Sequence, residues 1–176
     1  MFGVNSEQAV LFSTICRVSN QYQTIGDKYY NEISVKQEYL LSIIEYYSKD
    51  KPPTLNDLSV IIGSSHQNVK QIVSKLVEKG YLTIEKDIDD KRKRRVYFTE
   101  KYKKDKPEFD KRRTLFLEQV FKGISDDEIE YTMSVIKKII SNQSKMLGNE
   151  MYMKQIFAKI NSDMLENPIK RDNNLK

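Results

Sequence analysis

"GSSHQNVKQIVSKLVEKGYLTIEKDIDDKRKRRVYFTEK" runs from Gly63 to Lys101. It changes period twice. From His66 to Lys79 the apolar residues Val69, Ile72, Val73, Leu76 and Val77 recur at spacings of three and four, one face of a helix. Ser65 stands where an N-cap belongs and Gly80 where a helix stops. The rhythm then becomes two. In "YLTIEK" Leu82 and Ile84 point one way, while Tyr81, Thr83 and Glu85 point the other. In "RVYF" Val96 and Phe98 form the inward pair. Two alternating segments around a short polar loop predict a β-hairpin.

Upstream, "KDKPPT" (Lys49 to Thr54) cannot continue a helix because of its prolines. Thr54 then caps a short helix through Ile62, with Asp57 at the capping-box position and Leu55, Leu58, Ile61 and Ile62 inward. Gly63 closes it. The order is therefore helix, tight turn, helix, hairpin, which is a winged helix-turn-helix. A helix fits the DNA major groove, and its first turns reach base edges.

The loop of the hairpin carries a concentrated charge. Asp87, Asp89 and Asp90 give way to five consecutive cations, Lys91 to Arg95. The chain carries a net charge of +5. Between Lys51 and Arg113 there are 17 Lys/Arg against 10 Asp/Glu, so the excess sits in this segment and the remainder is slightly acidic. A basic segment in a balanced chain suits a polyanion partner, nucleic acid or a membrane surface. The second helix of the pair presents Ser65, His66, Gln67, Asn68, Lys70, Gln71 and Lys75. Gln and Asn can bond bidentately to adenine and Lys to guanine, and Ser65 opens a helix N-terminus suited to a phosphate. Any amphipathic helix has a polar face; the basic loop beside this one favours DNA.

Gly63 to Lys101 resembles the DNA-binding half of the MarR family of bacterial transcription regulators. The shared features are a Ser-capped recognition helix, "EKG" at 78–80, a strand, the wing motif Asp90-Lys91-Arg92, and "FTEK" at 98–101. Tyr102 replaces the family's glycine, and Pro107 is a second departure. The resemblance implies homodimers whose N- and C-terminal helices interlock, with two recognition helices on a palindromic operator in double-stranded DNA. It further implies a repressor released by a small-molecule effector or by cysteine oxidation. Arg92 becomes the minor-groove residue, within a wing of Asp90, Lys91, Arg92, Lys93 and Arg94. Asp90 is expected to anchor the wing by pairing with Arg92 or bonding its backbone.

Helices are expected on both sides. One spans Ser6 to Gln23, with Leu11, Ile15, Val18, Tyr22 and Ile25 on a face; another spans Val35 to Ser48. Downstream, one runs from Glu108 to Lys122 with Pro107 in its first turn, or else Pro107 kinks a longer helix from near Glu100. "SDDE" (Ser125 to Glu128) is a capping box that opens a helix to about Leu147, and a last helix is expected from Asn149 to Leu165. The fold class is mainly α with a minor β part (α+β). Residues 1–34 form an N-terminal dimerisation helix and linker, 35–100 the winged helix-turn-helix domain, and 101–176 the C-terminal dimerisation helices with an extra terminal helix.

Other chemistry finds little support. The single cysteine, Cys16, excludes an intrachain disulfide and suits a reducing compartment. It could act as a redox sensor, although packing in a dimer helix is the simpler role. One histidine and no Cys/His cluster argue against a metal site. No cofactor is expected. No apolar run approaches membrane-spanning length and no signal peptide is evident, so a cytoplasmic protein without a membrane partner is expected. There is no nucleophile–base pair and no Gly-rich phosphate loop, so an enzyme is not expected. The alternatives are a winged-helix protein-interaction module without DNA binding, and redox regulation through Cys16. The tyrosines Tyr22, Tyr29, Tyr30, Tyr39, Tyr46 and Tyr47 are either ordinary packing residues or the lining of a ligand cavity.

Overall fold

The structure is a computed structural model that describes residues 6–48 and 51–148. The chain divides into two compact units, Met1–Lys122 and Gly123–Lys176. The first begins with helix α1 (Ser6–Tyr30) and helix α2 (Val35–Tyr47). α1 continues seven residues past the expected end at Gln23, and stops where Asn31 takes a left-handed backbone (φ 56). Glycine weakens an isolated helix, but Gly26 is buried here against α2. A Cβ at Gly26 would lie 2.0 Å from Val35 Cγ2 and 3.4 Å from Phe116 Cζ. The missing side chain thus lets α1 approach the start of α2. Asp27 reinforces the contact, its carboxylate accepting the Val35 N–H at 2.7 Å. Ser34 and Gln37 form a capping box at the head of α2, and Leu40, Leu41 and Ile44 are fully buried.

α3 (Leu55–Ile62) and α4 (His66–Glu78) form the expected helix-turn-helix. Thr54 and Asp57 exchange the two capping-box bonds at 2.8 and 3.1 Å. Gly63 turns the chain with φ 68, a conformation that costs a residue with a Cβ more than glycine. The Ser65 hydroxyl accepts the Asn68 N–H at 3.2 Å. Val69, Val73 and Leu76 face the core, whereas Val77, expected inward, is 37% exposed at the edge of the apolar stripe.

The hairpin pairs β1 (Leu82–Lys86) with β2 (Arg94–Phe98) in antiparallel register, Ile84 opposite Val96 and Leu82 opposite Phe98. That matches the inward set read from the alternation. Tyr81 departs from it. It precedes the strand and is buried, with its hydroxyl 2.9 Å from Glu32 Oε2. Burial and this hydrogen bond push the Tyr81 hydroxyl up to about 12. Period-two reasoning assigns Tyr81 a face only if it belongs to the strand.

α5 (Glu100–Val120) is a single helix with Pro107 inside it, the longer of the two expected forms. Thr99 caps it, so the wing passes straight into the helix. Tyr102, in place of the family's glycine, stacks on Phe98 at 4.0 Å between centroids with an interplanar angle of 10°. Buried Tyr102 and Phe109 clamp the helix on either side of the proline. Proline removes one backbone bond from a helix, and burial of its neighbours holds this one together. In the second unit, α6 (Asp126–Met146) opens with the expected capping box between Ser125 and Glu128. The helix expected from Asn149 lies outside the described residues. Among these, no helix is long and apolar enough to cross a membrane.

At an exposed helical position, Gly→Ala stabilises by about 1 kcal/mol. At Gly26 the sign should reverse. Gly26→Ala is expected to cost about 1–3 kcal/mol through overpacking, measured by urea unfolding. Adding Val35→Ala should recover part of that loss; strictly additive costs would refute the close approach.

Candidate nucleic-acid interface

α4 buries its apolar stripe and leaves a polar face outward. Gln67, Lys70, Gln71, Ser74, Lys75 and Glu78 line that face. Asn68 is turned differently: its amide nitrogen donates to Ser64 Oγ at 2.7 Å, and its backbone is held by Ser65. Two of its hydrogen-bonding groups therefore serve the helix cap. His66, on the first turn, lines a groove of about 630 Å³ together with Thr54, Asn56, Asp57 and Arg92 to Arg95. The fold thus brings the start of the recognition helix against the base of the wing.

The wing is built around Asp87. Its side chain is 2% exposed. It accepts the backbone N–H groups of Asp89 at 2.8 Å and Asp90 at 3.0 Å, and a charged hydrogen bond from Arg95 Nε. Lys51 stands 3.5 Å away. Arg95 also donates to the Pro52 carbonyl, and the Val96 N–H donates to Pro53 at 3.0 Å. The 51–54 linker is thereby laid along β2, with a bridge between Thr54 and Arg95. The Asp90 amide, then the Arg95 guanidinium, hold the Asp87 carboxyl well below the usual carboxylate range.

Asp90 was expected to be the anchor. Its carboxylate does accept the Arg92 N–H at 3.1 Å, the backbone option of that expectation. It is however part-exposed, and its other charged contact is Lys93 at 3.7 Å. The main anchor is Asp87, the first of the three loop aspartates. A charge reversal over such a short distance could have flagged it, since an acid just after a strand can reach the returning strand. Lys91, Arg92, Lys93 and Arg94 are exposed. Among the described residues, no side-chain hydrogen bond or ion pair engages Lys91, Arg92 or Arg94. Ile88, beside them, is 92% exposed.

Residues 40–93 match the MarR family model. Solved structures agree along most of the chain. A MarR transcriptional regulator from Methanosarcina mazei Go1 superposes with TM-score 0.65 at 23% identity, covering 78% of this chain and 99% of that one. The chain has the MarR fold. The S. aureus MepR–DNA complex gives TM-score 0.64 at 17% identity over 74% of this chain and 94% of MepR. The organohalide-sensing regulator RdhR in its 2,4-dichlorophenol-bound form gives 0.67 at 18% identity over 82% and 88%. No curated protein sequence matches the chain.

Within this MarR fold, α1, α2 and α5 line a half-open cavity of about 440 Å³. Tyr22, Tyr30 and Tyr39 line it with Phe116, Val120 and Phe121; Tyr29, Tyr46 and Tyr47 do not. Its polar groups are Lys36, Glu38, Ser42 and Arg113 among others. Arg113 Nε lies 2.5 Å from Glu38 Oε1 and its Nη1 lies 3.1 Å from Asp110. Its buried Nη2 has no hydrogen-bond partner. Burial, and then the Glu38 charge, push the Tyr30 hydroxyl far above its ordinary value. Cys16 is exposed on α1.

A depressed carboxyl stabilises the folded hairpin at every pH above its unfolded value of about 3.9, and that contribution is lost only as pH falls through the lower folded value. Asp87→Asn removes it at all pH. We expect the amides of residues 87–95 to exchange hydrogen about tenfold faster or more in the variant at neutral pH, with α2 unaffected. Unchanged exchange would remove Asp87 as the anchor.

Proposed function

We propose that this chain is a DNA-binding transcription regulator that acts as a homodimer on palindromic duplex DNA, as a repressor released by a small ligand. The observation that carries the reading is the groove in which His66 meets Arg92 to Arg95. A row of cations beside the first turn of an outward-facing helix, with Arg92 and Arg94 free of carboxylate partners among the described residues, suits a duplex, which offers phosphates next to readable base edges. Gln67, Lys70 and Gln71 then read bases in the major groove. Lys75, Lys91, Lys93 and Arg94 meet phosphate, and Arg92 enters the minor groove, aimed from below by Asp87 and Asp90. Ser65 and Asn68 set the start of the helix.

Two further features support the assembly and its control. α1 exposes Val10, Leu11, Phe12, Ile15 and Val18, of which Val10 and Phe12 are 65% and 69% exposed. An apolar helix face of this length suits a second copy of the chain. The cavity under α1 and α2 is of small-molecule size, and its tyrosines and Phe116 favour an aromatic occupant.

The duplex immediately upstream of the chain's own gene should bind with strong salt dependence. Arg92→Ala should cost about 1–3 kcal/mol of binding. Lys75→Ala should weaken all duplexes about equally and flatten the salt dependence. Fluorescence anisotropy across a salt series measures all three; affinity that ignores salt, or no affinity for that duplex, refutes the reading.

A further inference from the structure

α4 has a groove on each flank. The wing groove occupies one, beside His66. The other, of about 430 Å³, lies between the first turn of α2 and α4, and its charged lining is Lys36, Lys75 and Lys79. No Asp or Glu lines it. At about 100° per residue, His66 and Lys70 project toward the wing, while Asn68, Lys75 and Lys79 project to the opposite side. Lys36 and Lys75 have no carboxylate partner among the described residues. Lys79 donates to the Glu32 carbonyl, which holds it in place without neutralising it.

The helix N-terminus at α2 does not account for this groove as an anion site. The Val35 N–H is given to Asp27 and the Gln37 N–H to Ser34. The lysine charges carry it. Gln71 and Lys75 line both this groove and the outward face of α4, so the two surfaces are continuous.

Duplex geometry gives the groove its occupant. A helix about 10–12 Å across fills a major groove about 12 Å wide. The phosphate rows that bound the groove therefore lie along both flanks of the helix. The wing supplies cations for one row. We infer that the α2–α4 groove grips the other row, with Lys36 and Lys79 on phosphates of the strand across the major groove from the wing. This rests on the DNA-binding reading above. It makes the first turn of α2 part of the interface, on the far side of the recognition helix from the cationic loop. Lys36 also lines the mouth of the half-open cavity between α1, α2 and α5, so one residue borders both that cavity and this phosphate contact.

Lys36→Ala in the full chain tests the inference. Lys36 is exposed and no side-chain hydrogen bond or ion pair engages it among the described residues, so thermal stability should stay at the wild-type value. The slope of log affinity against log salt should be shallower by about 0.9 for each lost phosphate contact. For a dimer, the affinity lost between about 50 and about 200 mM salt should then be roughly tenfold smaller than for wild type. The change should be the same on the upstream duplex and on an unrelated one, and Lys36→Arg should restore the wild-type slope. A wild-type slope in Lys36→Ala, or weakening confined to one sequence, overturns the inference and leaves the DNA-binding reading standing. Wild-type protein that binds neither duplex removes both.

Discussion

A carboxylate enclosed by two backbone amides and a guanidinium decides where the wing points. Asp87 closes the hairpin loop through Asp89 and Asp90, and through Arg95 it reaches the returning strand. Arg95 continues to the Pro52 carbonyl, so the same ion pair ties the loop to the linker that opens α3. Isolated two-stranded hairpins are marginal in water. This one is held at its tip by Asp87, along its edge by the 51–54 linker, and at its base by Phe98 stacked on Tyr102. The exposed cations of the loop repel one another. Their position depends on the buried charge beneath them and on Asp90, which accepts the Arg92 N–H and stands beside Lys93.

The rest of the first unit is arranged around that frame by close approaches. Gly26 admits Val35, which places the first turn of α2 beside α1, and Phe116 of α5 packs edge-on against Tyr22, Tyr29 and Tyr30. These contacts leave a cavity lined by aromatic rings on one side of α2, while the other side of the same turn meets α4. α2 is thus the wall between a half-open cavity and the polar face of the recognition helix. Such a wall offers a physical route by which an occupant of the cavity bears on the helix, through one element that touches both.

Much of the fold was legible because it is written locally. Thr54, Ser65 and Ser125 cap helices as expected, and Ser34 and Thr99, not among the expected caps, cap two more. The helix-turn-helix and the hairpin register follow from periods of 3.6 and 2 in short windows. Other features depend on packing. α1 outruns its expected end because Gly26 finds Val35, and the choice between the two expected forms of α5 falls to the longer one because Tyr102 and Phe109 are buried around Pro107. Tyr81 is buried because Glu32, 49 positions earlier, accepts its hydroxyl.

The sequence by itself determined the order of elements, the caps that start them, and the basic loop set beside a polar helix. Local hydrogen bonds and apolar spacing act over a few residues, so one stretch of chain contains all that they need. Only the tertiary structure decided which aspartate anchors the wing, because three candidates within four positions are distinguished by what lies opposite them and not by their own neighbours. It likewise decided that Lys36 and Lys79, 43 positions apart, share a groove with Lys75. Charges converge on one surface through packing, and packing is a property of the whole fold.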